Sequence, residues 1–379
     1  MSELIASILN SKVSGATLAR GAAKTGDLFG IELEMEGKNI VLLDGVRGWT
    51  ATHDGSLRNN HGDCLEWIFS SPVNFQNSVK RVEQLFEKLE ENKAKIVCSN
   101  RTSTHVHFNM GDKQIYQVIN LFIAYTVVEG LLTRYSGEDR SGNLFCVSVR
   151  HADDIVNKVD EVVSRRGCFD KFGNGYRYAG LNLCSLNKFN TVEFRTMRGL
   201  DNSEDVISWL TILNDLCIYA CYAMGKPSNF IENISTKGVH GILSEIFSEE
   251  SYKKLTNEVS DHEVHASVYE GLRVVQPLAY KVSQYYDKIK PLDKDFWEKE
   301  GQELRGQAGV FIDEILENGP QPVLGGGVHF NRRVIHIEPG NIMVPAPPPP
   351  QWNHPEEDLD VDDIDEDFEE EPEEEEDEF

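Results

Sequence analysis

Along residues 28–200 apolar and polar positions alternate in short runs, and between those runs apolar residues recur at helical spacing. Strands interleaved with helices are the result. The run Phe29–Glu36 (FGIELEME) sets Ile31, Leu33 and Met35 against Glu32, Glu34 and Glu36, and a strand sends successive side chains to opposite faces. Asn39–Leu43 reads as a second short strand beside an Asp44-Gly45 hairpin turn. After a second Asp-Gly turn at Asp54-Gly55, Cys64–Phe69 (CLEWIF) forms a strand whose lone acid is Glu66. Lys95–Met110 alternates again, with Val106, Phe108 and Met110 opposite Ser103, His105, His107 and Asn109. Two further runs, Tyr176–Leu186 and Asn190–Met197, are expected to pair as a hairpin through Asn187-Lys188, with Thr191, Glu193 and Arg195 facing away from Val192 and Phe194.

Helical spacing appears over 74–92, 114–135, 151–170 and 203–224, the last opening with N-cap chemistry at Asp201 to Ser203. Residues 225–320 read as mostly helical and carry no catalytic pattern. Four strands therefore place ionisable groups opposite apolar faces that helices would cover. Such a sheet has one dry side and one chemical side.

The cost of that chemical side is calculable. Neighbouring acids on Phe29–Glu36 lie about 6.7 Å apart, and at an effective dielectric of 20 each ionised pair costs about 2.5 kcal/mol. Water relieves this at an exposed edge, and cations relieve it in a site. The oxygen-rich set Glu32, Glu34, Glu66 and Glu193 with an imidazole from His105 or His107 suits Mg²⁺ or Mn²⁺ better than a thiolate zinc site.

Charge divides the chain. The formal net charge is −26, but the 18 acids of Glu356–Phe379 account for most of it and leave −8 on the remainder. That tail follows the proline-rich VPAPPPPQW, so residues 340–379 are expected to be disordered, with a basic protein as a candidate partner. Direct nucleic-acid binding is not expected. The seven cysteines form no CxxC or CxxH pair, and neither a signal-peptide pattern nor a run of 18 apolar residues is present. Free thiols in the cytoplasm and no membrane span are the expectation, with Cys98 and Cys184 as core thiols.

The ordered series of GIELEME, CLEWIFSSP, STHVHFN, RYAGLNLCSL and NTVEFRTMRGL resembles the carboxylate–amine ligases of the glutamine synthetase and γ-glutamylcysteine synthetase fold. Within them it is similar to the amidoligases of bacterial and phage genomes. The resemblance covers about residues 27–225. It implies an α+β fold, a curved and mainly antiparallel sheet with helices on its convex face. It divides the chain into an N-terminal helix and loop (1–26), a catalytic core (27–225), a mostly helical extension (226–339) and the tail (340–379).

It also implies ATP and Mg²⁺ as cofactors, and small-molecule or peptide carboxylate and amine substrates joined through an acyl phosphate. By position, Glu32, Glu34, Glu66, His105 and Glu193 would be metal ligands, and Arg195, Asn182 and His107 would face nucleotide or substrate. Glu34, Glu193 and Arg195 would carry catalysis. Glu36 is read as solvent-facing and Asp54 as a turn residue, although the family often has an acidic loop there; Arg101, Arg140, Arg177 and Arg198 are candidates for a substrate carboxylate. Two other readings compete: a metal-dependent phosphoester hydrolase using the same acids, and a non-enzymatic interaction protein, for example of a virus, acting through its tail.

Overall fold

Strand β1 (Leu28–Lys38) organises the sheet because four other strands hydrogen-bond to it. The computed structural model of the protein describes residues 26–58, 62–151, 153–164 and 174–289. All of them belong to the first of two units, Met1–Arg305 and Gly306–Phe379. The expected N-terminal helix, the end of the 226–339 extension and the acidic tail lie outside the described residues.

The fold is α+β. Eight strands pair antiparallel in one open sheet, in the order β2 (Trp49–Thr52), β3 (Asp63–Phe69), β1, β6 (Ser103–Asn109), β8 (Thr191–Arg198), β7 (Leu181–Asn182). The short strands β4 (Val73–Asn74) and β5 (Lys95–Val97) both pair with β1. Helices α1 (Phe75–Glu91), α2 (Ile115–Ser136) and α5 (Ser203–Ile218) pack on β1, β8 and β6. Asn74 caps α1 by accepting from the Asn77 N–H, and Asn202 caps α5 by accepting from the Asp205 N–H.

Ile31, Leu33 and Met35 of β1 join Val106 and Phe108 of β6 and Val192 and Phe194 of β8 in the buried core. Each buried side chain of this size contributes about 1.5–3 kcal/mol. A one-residue slip of β1 would drive Glu32 and Glu34 into that core, so the alternation fixes the register. Gly37 lets β5 cross closely: its φ is +149°, and a Cβ there would sit 2.0 Å from the Lys95 carbonyl oxygen.

Beyond the sheet, α3 (Asp153–Ser164), α4 (Ser185–Phe189), α6 (Pro227–Ile246), α7 (Glu249–Thr256) and α8 (Asp261–Ile289) complete the described α-helices, with α8 packed along α2. Ile115–Ser136 and Ser203–Ala223 are long and apolar enough to cross a membrane by length and composition, but 89% and 61% of those stretches are buried within the fold. Counting only uninterrupted apolar runs misses both.

Three local expectations are corrected. Residues 39–43 form no strand, because the chain leaves the sheet after Lys38 and turns with the Gly45 N–H bonded to the Leu42 carbonyl. Strands β7 and β8 do pair, yet helix α4 joins them instead of a two-residue turn. Cys98 is exposed and so is not a core thiol, whereas Cys184 is half-buried and packs against the core.

Candidate active site

The antiparallel registers bring the polar residues of five strands together. Glu34 lies opposite Glu66, Glu32 opposite His105, His107 opposite Glu193, and Asn182 opposite Glu193. All face away from the helical core. A β-bulge between Thr104 and Val106 lies where β6 passes Arg195, a place where bulges commonly re-aim side chains.

At one end, Glu193 accepts from Asn182 Nδ2 (2.6 Å) and Ser185 Oγ (2.9 Å), and pairs with Arg195. His107 is held between Thr191 Oγ1 (2.9 Å) and Glu32 Oε1 (3.1 Å). In the middle, His105 Nδ1 lies 3.3 Å from Glu32 and 3.7 Å from Glu193, while its Nε2 meets Ser103 Oγ at 2.8 Å. Ser103 also donates to Glu34 at 2.5 Å. At the other end Glu66 has Thr52 Oγ1 at 3.3 Å.

These contacts split the acids electrostatically. Burial opposes ionisation of Glu32, but His107 and His105 outweigh it and hold the carboxyl well below its usual range. Glu193 is likewise lowered against burial, by His107, Arg195 and His105. Burial raises Glu34, and burial together with Glu32, Glu34 and Asp54 pushes Glu66 up to about 8. Burial would lower His107, yet the facing Glu32 and Glu193 raise it.

Among the described residues, donor groups suited to a cation occur three times: Glu32, His107 and Glu193; Glu32, Glu66 and His105; Glu34, Asp54 and Glu66. Within each group the ligand atoms lie within 4.8 Å of one another. The donors are hard oxygens with one imidazole in two of the groups, and they fit Mg²⁺ or Mn²⁺. The mutual repulsion that raises Glu66 is what a bound cation would offset. His105 and His107 each enter a different group.

Residues 44–216 match the model of a family described as "putative amidoligase enzyme". Over this segment, somewhat under half of its length, the chain is similar to that family. No curated protein matches the chain. The matched segment contains Glu66, His105, His107, Asn182, Glu193 and Arg195; β1, with Glu32 and Glu34, precedes it and completes the site from outside the match.

Beside the acids the site opens into a pocket of about 360 Å³. Glu34, Asp54 and Ser103 line it together with Arg101, Arg140, Arg177 and Arg195. Arg140 is buried and already donates to the Thr196 and Arg195 carbonyls. Arg198 is not a lining residue, because it donates to the Tyr135 and Ser136 carbonyls at the end of α2.

The structure moves two residues relative to expectation. Glu36 is 2% exposed and accepts the Arg58 N–H, so it does not face solvent. Asp54 does turn the chain, with Oδ1 accepting the Ser56 N–H at 2.6 Å, and it also stands with Glu34 and Glu66. Ser103 and Ser185, which position Glu34 and Glu193, had no sequence signal beyond sharing a polar strand face or following Asn182 by three residues.

Proposed function

We propose that this chain is an ATP-dependent carboxylate–amine ligase. The reading rests on the amidoligase match, and on one observation above all: three overlapping carboxylate and imidazole groups adjoin an arginine-lined pocket. Acids alone repel phosphate, and arginines alone need no acids. A wall of both suits a phosphate chain accompanied by divalent cations.

A carboxylate oxygen would attack the γ-phosphorus of ATP, releasing ADP and leaving an acyl phosphate. The amine nitrogen would then attack the acyl carbon, forming the amide as phosphate departs and the nitrogen loses a proton. Mg²⁺ held by Glu32, Glu34, Glu66, Glu193 and His105 or His107 would supply charge neutralisation at the phosphates. Arg195, fixed by Glu193 and by the Phe145 carbonyl (3.4 Å), is placed to fork onto phosphate oxygens. Asn182 and Ser185 hold Glu193 in place, and Thr191 orients the His107 ring. No protein nucleophile is required.

The test is to incubate the full chain with ATP, Mg²⁺ and pooled amino acids, polyamines and cell-wall peptides, and to search for a condensation product by mass spectrometry. The reading expects an amide formed with ADP and phosphate, lost in Glu34→Gln. Phosphate release with neither amine nor carboxylate present would instead favour a phosphoester hydrolase.

A further inference from the structure

The four arginines of the pocket are not equivalent. Arg140 is spent on backbone carbonyls, and Arg195 is paired with Glu193 on the sheet. Arg101 and Arg177 come from connecting segments, and both are exposed. Arg101 Nη1 reaches the Ser56 carbonyl at 3.4 Å, and Arg177 stacks over the Tyr178 ring at 4.5 Å while bonding its hydroxyl. Tyr178 is itself braced edge-on by Phe145. Among the described residues, neither Arg101 nor Arg177 has a carboxylate partner. Two oriented guanidiniums with donors to spare thus stand at the rim of a pocket whose other lining includes Glu34 and Asp54.

That lining is bipolar. A purely anionic ligand would meet the acids, and a purely cationic one the arginines. A small ligand carrying both charges meets neither conflict, and a volume of about 360 Å³ lies at the low end of small-ligand pockets. The phosphates of the ligase reading belong on the sheet, beside Arg195 and the cation-binding groups. This leaves the rim for the partner that arrives second.

We infer that the amine substrate is an amino acid, or a peptide small enough for the pocket, whose own carboxylate is held by Arg101 and Arg177. The inference rests on the ligase reading for the word "substrate", but not for the binding. An ammonium turned toward Asp54, which lines the pocket without being one of the proposed metal ligands, is attracted there, and the carboxylate takes charge-assisted hydrogen bonds at the opposite rim.

Matched ligands test this: alanine against ethylamine and alaninamide, and glutamate against its diamide, with wild type, Arg101→Gln and Arg177→Gln. Binding of each ligand to the full chain is followed by saturation-transfer NMR, MgATP affinity by calorimetry, and amide formation by mass spectrometry. Ligands with a free carboxylate should bind, and each substitution should weaken them about 10- to 100-fold, with MgATP affinity and ethylamine binding unchanged within about threefold. Equal binding of ethylamine and alanine would overturn the inference. So would a loss of MgATP affinity matching the loss of alanine, which would assign both arginines to the phosphates. Carboxylate-dependent binding without amide formation from any pair would sink the ligase reading and leave the subsite standing.

Discussion

Glu129 and Glu66 are both carboxyls drawn out of bulk water, and their surroundings differ in kind. Glu129, on α2, is 1% exposed and accepts from Ser148 Oγ (2.7 Å), the Val149 N–H (2.7 Å) and the Arg150 N–H (3.1 Å), with the Arg150 guanidinium 3.8 Å away. Burial still raises it, but every neighbour is a donor. Glu66 has one hydroxyl and faces Glu32, Glu34 and Asp54. A carboxylate ringed by donors holds a structure together, whereas carboxylates ringed by one another are kept for something that comes from outside. Stability and function should therefore separate cleanly between the two regions.

The largest expected effect lies on the sheet. Glu34→Gln should reduce amide formation at least about 100-fold, while urea unfolding shifts by no more than about 1 kcal/mol. A large loss of stability in Glu34→Gln would erase the distinction, since it would make the acid a structural group. Next is Glu129→Ala, which strands three donors and removes a buried carboxylate from beside the Arg150 guanidinium, leaving that group Glu270 and the Thr126 and Val127 carbonyls. It should cost about 3–5 kcal/mol in urea unfolding, with turnover per folded molecule retained at low temperature. Selective loss of turnover in a stable Glu129→Ala protein would go against this.

A smaller effect is expected from the metal itself. Mg²⁺ or Mn²⁺ at a hundred times its Kd should stabilise the wild type by about 2.7 kcal/mol, read as a rise in Tm reversed by a chelator. Glu66→Gln should abolish most of that rise while leaving the metal-free Tm equal or higher, because it removes a group that its neighbours repel. An unchanged metal response in Glu66→Gln would remove this residue from the site. The smallest change is Ser185→Ala, which takes one of the donors from Glu193. A few-fold drop in turnover is expected, for a hydrogen bond of about 1 kcal/mol.

The two regions were unequally legible in the sequence. Alternation in β1, β6 and β8 exposed the chemical face, because a strand with one buried side must keep its polar residues on the other. Glu32, Glu34, His105, His107, Glu193 and Arg195 could be found that way. Alternation says nothing about which strands are neighbours, so the pairing of Glu34 with Glu66 and Glu32 with His105 required the fold. Asp54 was hidden because its turn chemistry explains it locally. Arg198 follows Arg195 closely in sequence but spends its guanidinium on α2 carbonyls. The Glu129 network had no pattern to betray it, since one acid inside a long apolar helix resembles a polar position on any helix.

The central claim is that the acid and imidazole face of the sheet drives phosphoryl transfer from ATP to a substrate carboxylate. Its most direct test uses the carboxylate substrate found by the pooled incubation, labelled with ¹⁸O in its carboxyl group. An acyl phosphate requires one labelled oxygen to leave in the inorganic phosphate and one to stay in the amide. Phosphate carrying oxygen from solvent water instead, with both labels still on the carboxylate, would contradict the ligase and point to hydrolysis at the same face.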